Sequence, residues 1–214
     1  MNDAWSERAQ AYVESDTHRE GHDLDLLVSW ADGDTALDVA AGGGHVARRL
    51  RELGLEVTTL DPAPGMRADV LAYAEHIPFA AGSFDTVVTR IAPHHFSDIR
   101  AAVAEMARVD RRVVLVEDTL YSSEEVEEAE RLHDPTHVRS YSEQEWRSFL
   151  EDAGLRIEDI ALQEKQRDFD AWCDRTGCVR PERERVREIL GERIDDRGVY
   201  TDTKILIRAR KVDR

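Results

Sequence analysis

The stretch Leu37-Asp38-Val39-Ala40-Ala41-Gly42-Gly43-Gly44-His45-Val46-Ala47 constrains this chain more than any other. A short apolar run of strand type ends in three glycines, and an amphipathic helical run follows from His45 to Leu53. Gly42, Gly44 and Ala47 satisfy the spacing G-x-G-x-x-G/A between a strand and a helix. Glycine allows a sharp turn and lets a ligand approach the backbone closely. The new helix directs free N–H groups and the positive end of its dipole toward that ligand. Three consecutive glycines cost chain entropy, so a tight turn with no ligand is a poor account of them.

The rest of the chain builds around this loop. Apolar runs predict seven strands, at 35–40, 55–60, 68–72, 84–90, 112–117, 155–163 and 203–209. Helical periodicity marks 3–14, 20–31, 45–53, 99–108, 122–132, 142–153, 168–176 and 181–190. Strands alternating with helices imply an α/β fold with a doubly wound, mostly parallel sheet. The last strand, after two helices and a loop, is expected to be antiparallel and at an edge.

Composition excludes several classes of partner. The chain has 214 residues and a net charge of −16, which opposes binding to nucleic acid or to an anionic membrane surface. No apolar run reaches the ~20 residues of a membrane span, and the polar start MNDAWSERAQAY lacks a signal-peptide stretch. A cytoplasmic protein is expected. Its only lysines are Lys165, Lys204 and Lys211. A salt-rich cytoplasm and a high-GC genome both account for that scarcity. Cys173 and Cys178 read as reduced residues without metal spacing.

Asp61 closes the second strand, where a carboxylate can accept from both ribose hydroxyls of a nucleotide-type ligand. Up to this point the loop fits either a nicotinamide dinucleotide or S-adenosylmethionine. Three features favour the second. Asp38, inside the strand, suits a ligand with an ammonium and a sulfonium but not a pyrophosphate. About 34 residues of helix precede the first strand, which usually opens a dinucleotide fold. A late antiparallel strand is the third.

LDVAAGGGHVA resembles the first motif of class I S-adenosylmethionine-dependent methyltransferases. The runs AEHIPFAAGSFDTVVTRIAPHHF (74–96), ERLHDPTHVRSYSEQEW (130–146) and DFDAWCDR (168–175) are similar to small-molecule members related to ubiquinone and menaquinone biosynthesis enzymes. The resemblance implies a Rossmann-like seven-stranded sheet in one domain, 1–214. It would comprise an N-terminal helical lid (1–33), a cofactor-binding core (34–120) and a substrate cap with the final strands (121–214). It implies that Asp38, Ala40, Gly42, Gly43 and Gly44 hold the methionine part, Asp61 the ribose and Pro62 the adenine side. Arg90 would offer backbone groups, and Tyr12, His18 and Gly21 would close over S-adenosylmethionine.

Two departures stand out. Only seven residues, Pro62 to Ala68, separate Asp61 from the next apolar stretch. A helical crossover needs roughly 10–12 residues, so a loop or single turn is expected, leaving part of one sheet face less covered. The family's D-A-E-x-x-P-F pattern reads Tyr73-Ala74-Glu75-His76-Ile77-Pro78-Phe79 here, with Tyr73 where an Asp receives the adenine amino group; the resemblance implies that Tyr73 and Ala74 border the cofactor, with Tyr73 stacking on or edging the adenine or Asp69 substituting.

The chemistry needs water excluded, an aligned nucleophile and, for some acceptors, a base. His94 and His95, after the strand 84–90, lie at the carboxyl-end crevice and are the base candidates. His137 and Arg139, with Asp134, form a second polar cluster in which Arg139 could clamp a carboxylate. Trp172 and Arg175 are one helical turn apart and could roof a substrate pocket. No HxxxH pair lies on a predicted helix, so no metal is expected. The expected activity is methyl transfer to a small molecule. The alternatives are a cofactor-binding protein without catalysis and an NAD-dependent oxidoreductase, which would need a catalytic Tyr/Lys or His. Nothing in the sequence fixes the oligomeric state.

Overall fold

The computed structural model describes residues 4–14 and 19–212. Helices α1 (Ala4–Glu14) and α2 (His22–Ser29) precede strand β1 (Thr35–Val39). Then come α3 (His45–Glu52), β2 (Glu56–Leu60), β3 (Phe84–Arg90), α4 (Ile99–Val109) and β4 (Asp110–Thr119). The remainder is α5 (Glu124–His133), α6 (Glu143–Asp152), β5 (Leu155–Asp168), α7 (Phe169–Thr176), α8 (Glu182–Leu190) and β6 (Val199–Lys211).

One six-stranded sheet has the order β2-β1-β3-β4-β6-β5. β2, β1, β3 and β4 are mutually parallel, and β6 runs antiparallel to both β4 and β5. Two expectations change. The sheet has six strands rather than seven, because 68–72 contributes only a single bridge, Leu60 to Val70. There the Asp69 carboxylate takes the N–H of Thr59 at 2.8 Å and its hydroxyl at 2.7 Å, and the chain turns outward to an exposed Leu71. The last strand, β6, is antiparallel but not at the edge. It inserts between β4 and β5, so its apolar Ile205-Leu206-Ile207 is covered on both sides.

Side-chain alternation builds the layers. Leu37, Val39, Val87, Val114, Val116, Ile205 and Ile207 form one core cluster with α4 and α6. Ala36, Val88, Val113, Leu115 and Leu206 point the other way, into a second cluster with α2 and α3. All seven residues of β3 are buried, as expected for the central strand of a parallel sheet covered on both faces. A third cluster joins α5, α7 and α8 around Phe169, Trp172 and Tyr200 beyond the carboxyl ends of the strands.

The short link after β2 is a single 3-10 turn, Pro64–Met66. α1 rests against it: the Gly65 N–H donates to Ser6 Oγ at 2.7 Å. A Cβ on Gly65 would stand 2.5 Å from the Ser6 Cα, so this close approach requires glycine.

Candidate active site

The Gly42–Gly44 loop turns β1 into α3 through left-handed backbone at Ala40, Gly42 and Gly44, with φ of 55°, 51° and 72°. Nothing lies within 4 Å of a Cβ built on Gly42 or Gly44. Backbone conformation, not crowding, is what demands glycine here, and the space above the loop is open. Asp38, from β1, caps the helix by accepting from the Ala47 N–H at 3.0 Å. Burial raises the Asp38 pKa to about 7, and the neighbouring Asp61 charge adds to the effect. Asp61 accepts from the N–H groups of Gly42 at 3.0 Å and Ala63 at 2.9 Å.

A cavity of about 150 Å³ opens over this loop at the carboxyl ends of β1, β2, β3 and β4. It runs from Asp38, Ala40, Gly42, Gly43 and Asp61 past His94 and His95 to Trp172 and Lys204. Trp5 of α1 lies over it, its ring 4.4 Å from that of His95, edge-on. Arg8 reaches Asp134 at 3.1 Å. α1 thus spans the cavity mouth, from the Pro64–Met66 turn to the loop after α5.

Two histidine–carboxylate pairs face each other inside. His94 Nδ1 meets Asp118 Oδ1 at 2.5 Å, and His137 Nε2 meets Glu127 Oε2 at 3.0 Å. The two rings are 5.4 Å apart, and those of His94 and His95 4.1 Å. Burial pushes the His94 pKa well below the ordinary histidine value, and the charges of His137 and Lys204 lower it further. Burial pushes His95 down to about 3, and its Nδ1 lies 3.0 Å from the Thr136 carbonyl. Burial also opposes charge on His137, but its hydrogen bond to Glu127 and the nearby carboxylates outweigh this and raise its pKa. Two groups of one type are thereby pushed apart, one toward a neutral base and the other toward a cation.

Ile91 precedes the turn Pro93–His95 that carries both histidines, and its φ is 49°. A β-branched residue in left-handed backbone is rare and costs roughly 1–3 kcal/mol. Its N–H donates to the Glu117 carbonyl at 2.8 Å. That bond, with the turn behind it, aims His94 back over the end of β4.

Arg90 is buried, with Asp23 of α2 at 2.6 Å and Glu117 of β4 at 2.7 Å. Lys165 of β5 joins Asp23 from the other side. Burial opposes charge on Asp23, but the Arg90 and Lys165 cations outweigh this and hold its carboxyl well below the usual range. This four-residue network ties α2 to three strands, and through Arg90 it borders the cavity.

The structure brings together Asp38, Ala40, Gly42, Gly43, Asp61, Arg90, His94, His95, His137, Trp172 and Arg175 around this one cavity. Others lie elsewhere. Arg139 stands outside it, half exposed, paired with Glu145 at 2.8 Å and lying over the Tyr141 ring. Tyr73 is 62% exposed and Ala74 is buried in the core. Gly44 and Pro62 flank the cavity without lining it, and Gly21 lines a neighbouring cavity beside Lys165 and Arg167. His18 and the side chain of Tyr12 lie outside the described residues. Among the described residues no group of three or more His, Cys, Asp or Glu is placed to hold a metal ion. No helix among them is long and apolar enough to cross a membrane. Both cysteines are buried and free.

Sequence reasoning missed Asp118, Glu127, Glu130, Arg167 and Lys204. Their shared signal is charge beside an apolar strand or on an otherwise polar helix face, which only the fold turns inward. Tyr200 and Lys204 have the four-residue spacing of a helical catalytic pair. On β6 that spacing holds them about 13 Å apart.

The donor set suits a cation-bearing nucleotide ligand. Two carboxylates flank the loop, and no lysine or arginine occurs between Asp38 and Ala47 to meet a pyrophosphate. Residues 37–113 match the family described as a methyltransferase domain. The chain is 32% identical over 200 residues to the uncharacterized methyltransferase YcgJ of Bacillus subtilis, covering 81% of this chain and 78% of that protein. The crystal structure of YcgJ superposes with a TM-score of 0.80 at 27% identity, covering 90% of this chain and 99% of that one. The demethylmenaquinone methyltransferase of Beutenbergia cavernae is 35% identical over 98 residues, 40% of this chain and 41% of that protein.

Proposed function

This chain belongs to the methyltransferase family, and from that premise we propose that it moves a methyl group from S-adenosylmethionine to a small-molecule acceptor. The observation that carries the reading is the His94–Asp118 pair, opposite the Asp38–Gly42–Asp61 end of the same cavity. When bound, S-adenosylmethionine supplies an electrophilic methyl on a sulfonium whose sulfur leaves as a neutral thioether. Asp38 and the loop N–H groups would hold the methionine part, and Asp61 the ribose hydroxyls. Neither the loop nor the strand ends need an acid for the leaving group.

His94 is the base. Asp118, accepting from Nδ1, keeps the proton on that nitrogen and leaves Nε2 free to take one from the acceptor. Burial holds His94 neutral and ready. His95 and Trp5 close the roof of the cavity and exclude water. Trp172 and His137 would shape the acceptor side. The acceptor nucleophile has to reach about 3–3.5 Å from the methyl carbon, a constraint set by the gap between the loop and the Pro93–His95 turn.

A cofactor-binding protein without catalysis is the second reading, favoured by Tyr73 standing where the family pattern has an Asp. The test is release of S-adenosylhomocysteine from S-adenosylmethionine with phenolic, amine and thiol acceptors. His94→Ala is expected to lower turnover by on the order of 10²–10⁴-fold while binding S-adenosylhomocysteine as the parent does. Turnover untouched by His94→Ala would overturn the role of this base, and absence of turnover by the parent would favour the second reading.

A further inference from the structure

The chain has three lysines, and two are buried: Lys204 with 1% and Lys165 with 9% of the side chain exposed. A buried lysine is rare unless paired. Lys204 Nζ donates to Thr119 Oγ1 at 2.5 Å and to Asp202 Oδ2 at 2.9 Å. An ammonium has three donors, and Lys204 lines the cavity. Arg167 shares the same carboxylate, at 2.5 Å. It is 7% exposed, lines both cavities, and its buried Nε has no hydrogen-bond partner. Arg175 lines the same end.

The acidic side chains nearby already have partners. Asp202 is shared by Lys204 and Arg167. Asp134 is taken by Arg8 and by the N–H and hydroxyl of Thr136. Asp118 is committed to His94. Glu130 also lines this end, near the Tyr200 hydroxyl, and burial raises its pKa. The result is a cavity end where Lys204 has a donor beyond those to Thr119 and Asp202, and Arg167 a buried Nε without a hydrogen-bond partner, inside a protein of net charge −16. Trp172 forms its flat wall, backed by the His133 ring at 3.5 Å and by Tyr200.

We propose that the acceptor carries a carboxylate, read by Lys204, Arg167 and Arg175 against the Trp172 face. That the ligand is the acceptor rests on the proposed methyl transfer; the carboxylate site itself stands on these residues alone. A carboxylate held there faces the His94 end of the cavity, so the anion would orient the group that is to lose its proton. Lys204 then has two roles. Its charge helps keep His94 neutral, and its third donor anchors the substrate.

The test is calorimetric titration of the whole chain with matched pairs of small ligands, without cofactor and with S-adenosylhomocysteine. The pairs are benzoate and benzamide, 4-hydroxybenzoate and 4-hydroxybenzamide, and 4-hydroxyphenylacetate and its amide. At least one carboxylate is expected to bind at least tenfold more tightly than its amide. That preference should fall about tenfold in Lys204→Met and in Arg175→Met, with amide binding unchanged. Arg175→Met leaves the Asp202 cluster intact, so it reads the site even if Lys204→Met fails to fold. Equal binding within every pair, no carboxylate bound, or a preference that Arg175→Met leaves intact would overturn the proposal. Failure to bind S-adenosylhomocysteine would instead count against the methyl-transfer reading, leaving the carboxylate result to stand by itself.

Discussion

His94 Nδ1 lies 2.5 Å from Asp118 Oδ1, the last turn of β3's exit meeting the carboxyl end of β4. With Asp118 ionised, the contact would hold the ring proton on Nδ1 and leave Nε2 to the cavity. Asp118→Asn keeps the shape of this contact and removes the acceptor that holds the tautomer. It is expected to cut turnover on the order of 10²-fold or more with little change in affinity for S-adenosylhomocysteine. Steady-state kinetics beside calorimetry checks both halves, and a fall in cofactor affinity that accounts for the whole loss would contradict it.

The pH dependence follows from the direction of the His94 shift. Its pKa is lowered, so protonation removes the base only at acidities beyond those that titrate an ordinary histidine. The His94 limb of the kcat profile should therefore lie below about 6.5, apart from any limb near 7 contributed by Asp38 or Asp118, which burial raises to about 7. A profile with no acid limb below about 6.5 would mean a different base.

The Asp23–Arg90–Glu117–Lys165 network predicts a stability effect. Asp23 has 8% of its side chain exposed and answers both cations. Asp23→Ala leaves Arg90 and Lys165 facing each other around Glu117 in a buried site. Removing one partner of such a cluster costs about 3–5 kcal/mol, measurable by urea unfolding. Because the network anchors α2 and borders the cavity through Arg90, affinity for S-adenosylhomocysteine should fall as well.

Gly65→Ala isolates the role of α1. The new methyl would stand 2.5 Å from the Ser6 Cα, so the helix must shift from the Pro64–Met66 turn. Since Trp5 roofs the cavity and Arg8 holds Asp134, turnover is expected to fall more than global stability. Thermal melting and kinetics on the same variant separate the two, and an unchanged rate would show that α1 need not sit against the turn.

Much of this was legible in the chain. Phe84 to Arg90 reads as a strand and is one, because Phe84 and the β-branched Thr86, Val87, Val88 and Thr89 favour extended backbone and Gly82 and Pro93 mark its ends. The glycine loop is legible because only left-handed backbone at Gly42 and Gly44 closes that turn. The place of β6 is not legible, since pairing with β4 and β5 joins residues far apart in sequence. Val70 looks like a strand residue, but the adjacent Asp69 side chain takes the Thr59 N–H and hydroxyl, and the pairing stops at one bridge. Within the site, His94 and His137 announce themselves by residue type. Asp118, Lys204 and Arg167 do not, because a charge at a strand end reads as solvated until a helical layer covers it. Arg139 shows the converse: a promising motif residue that the loop turns outward to Glu145.

The central claim rests on the Asp38–Gly42–Asp61 end of the cavity holding S-adenosylmethionine. The most direct measurement is calorimetric titration of the parent and Asp61→Ala with S-adenosylmethionine and S-adenosylhomocysteine, with NADH as control, at low and at molar salt. The account predicts one micromolar site for both sulfur ligands, weakened at least tenfold by Asp61→Ala, and no heat with NADH. NADH binding, or no binding of either sulfur ligand at both salt concentrations, would contradict it.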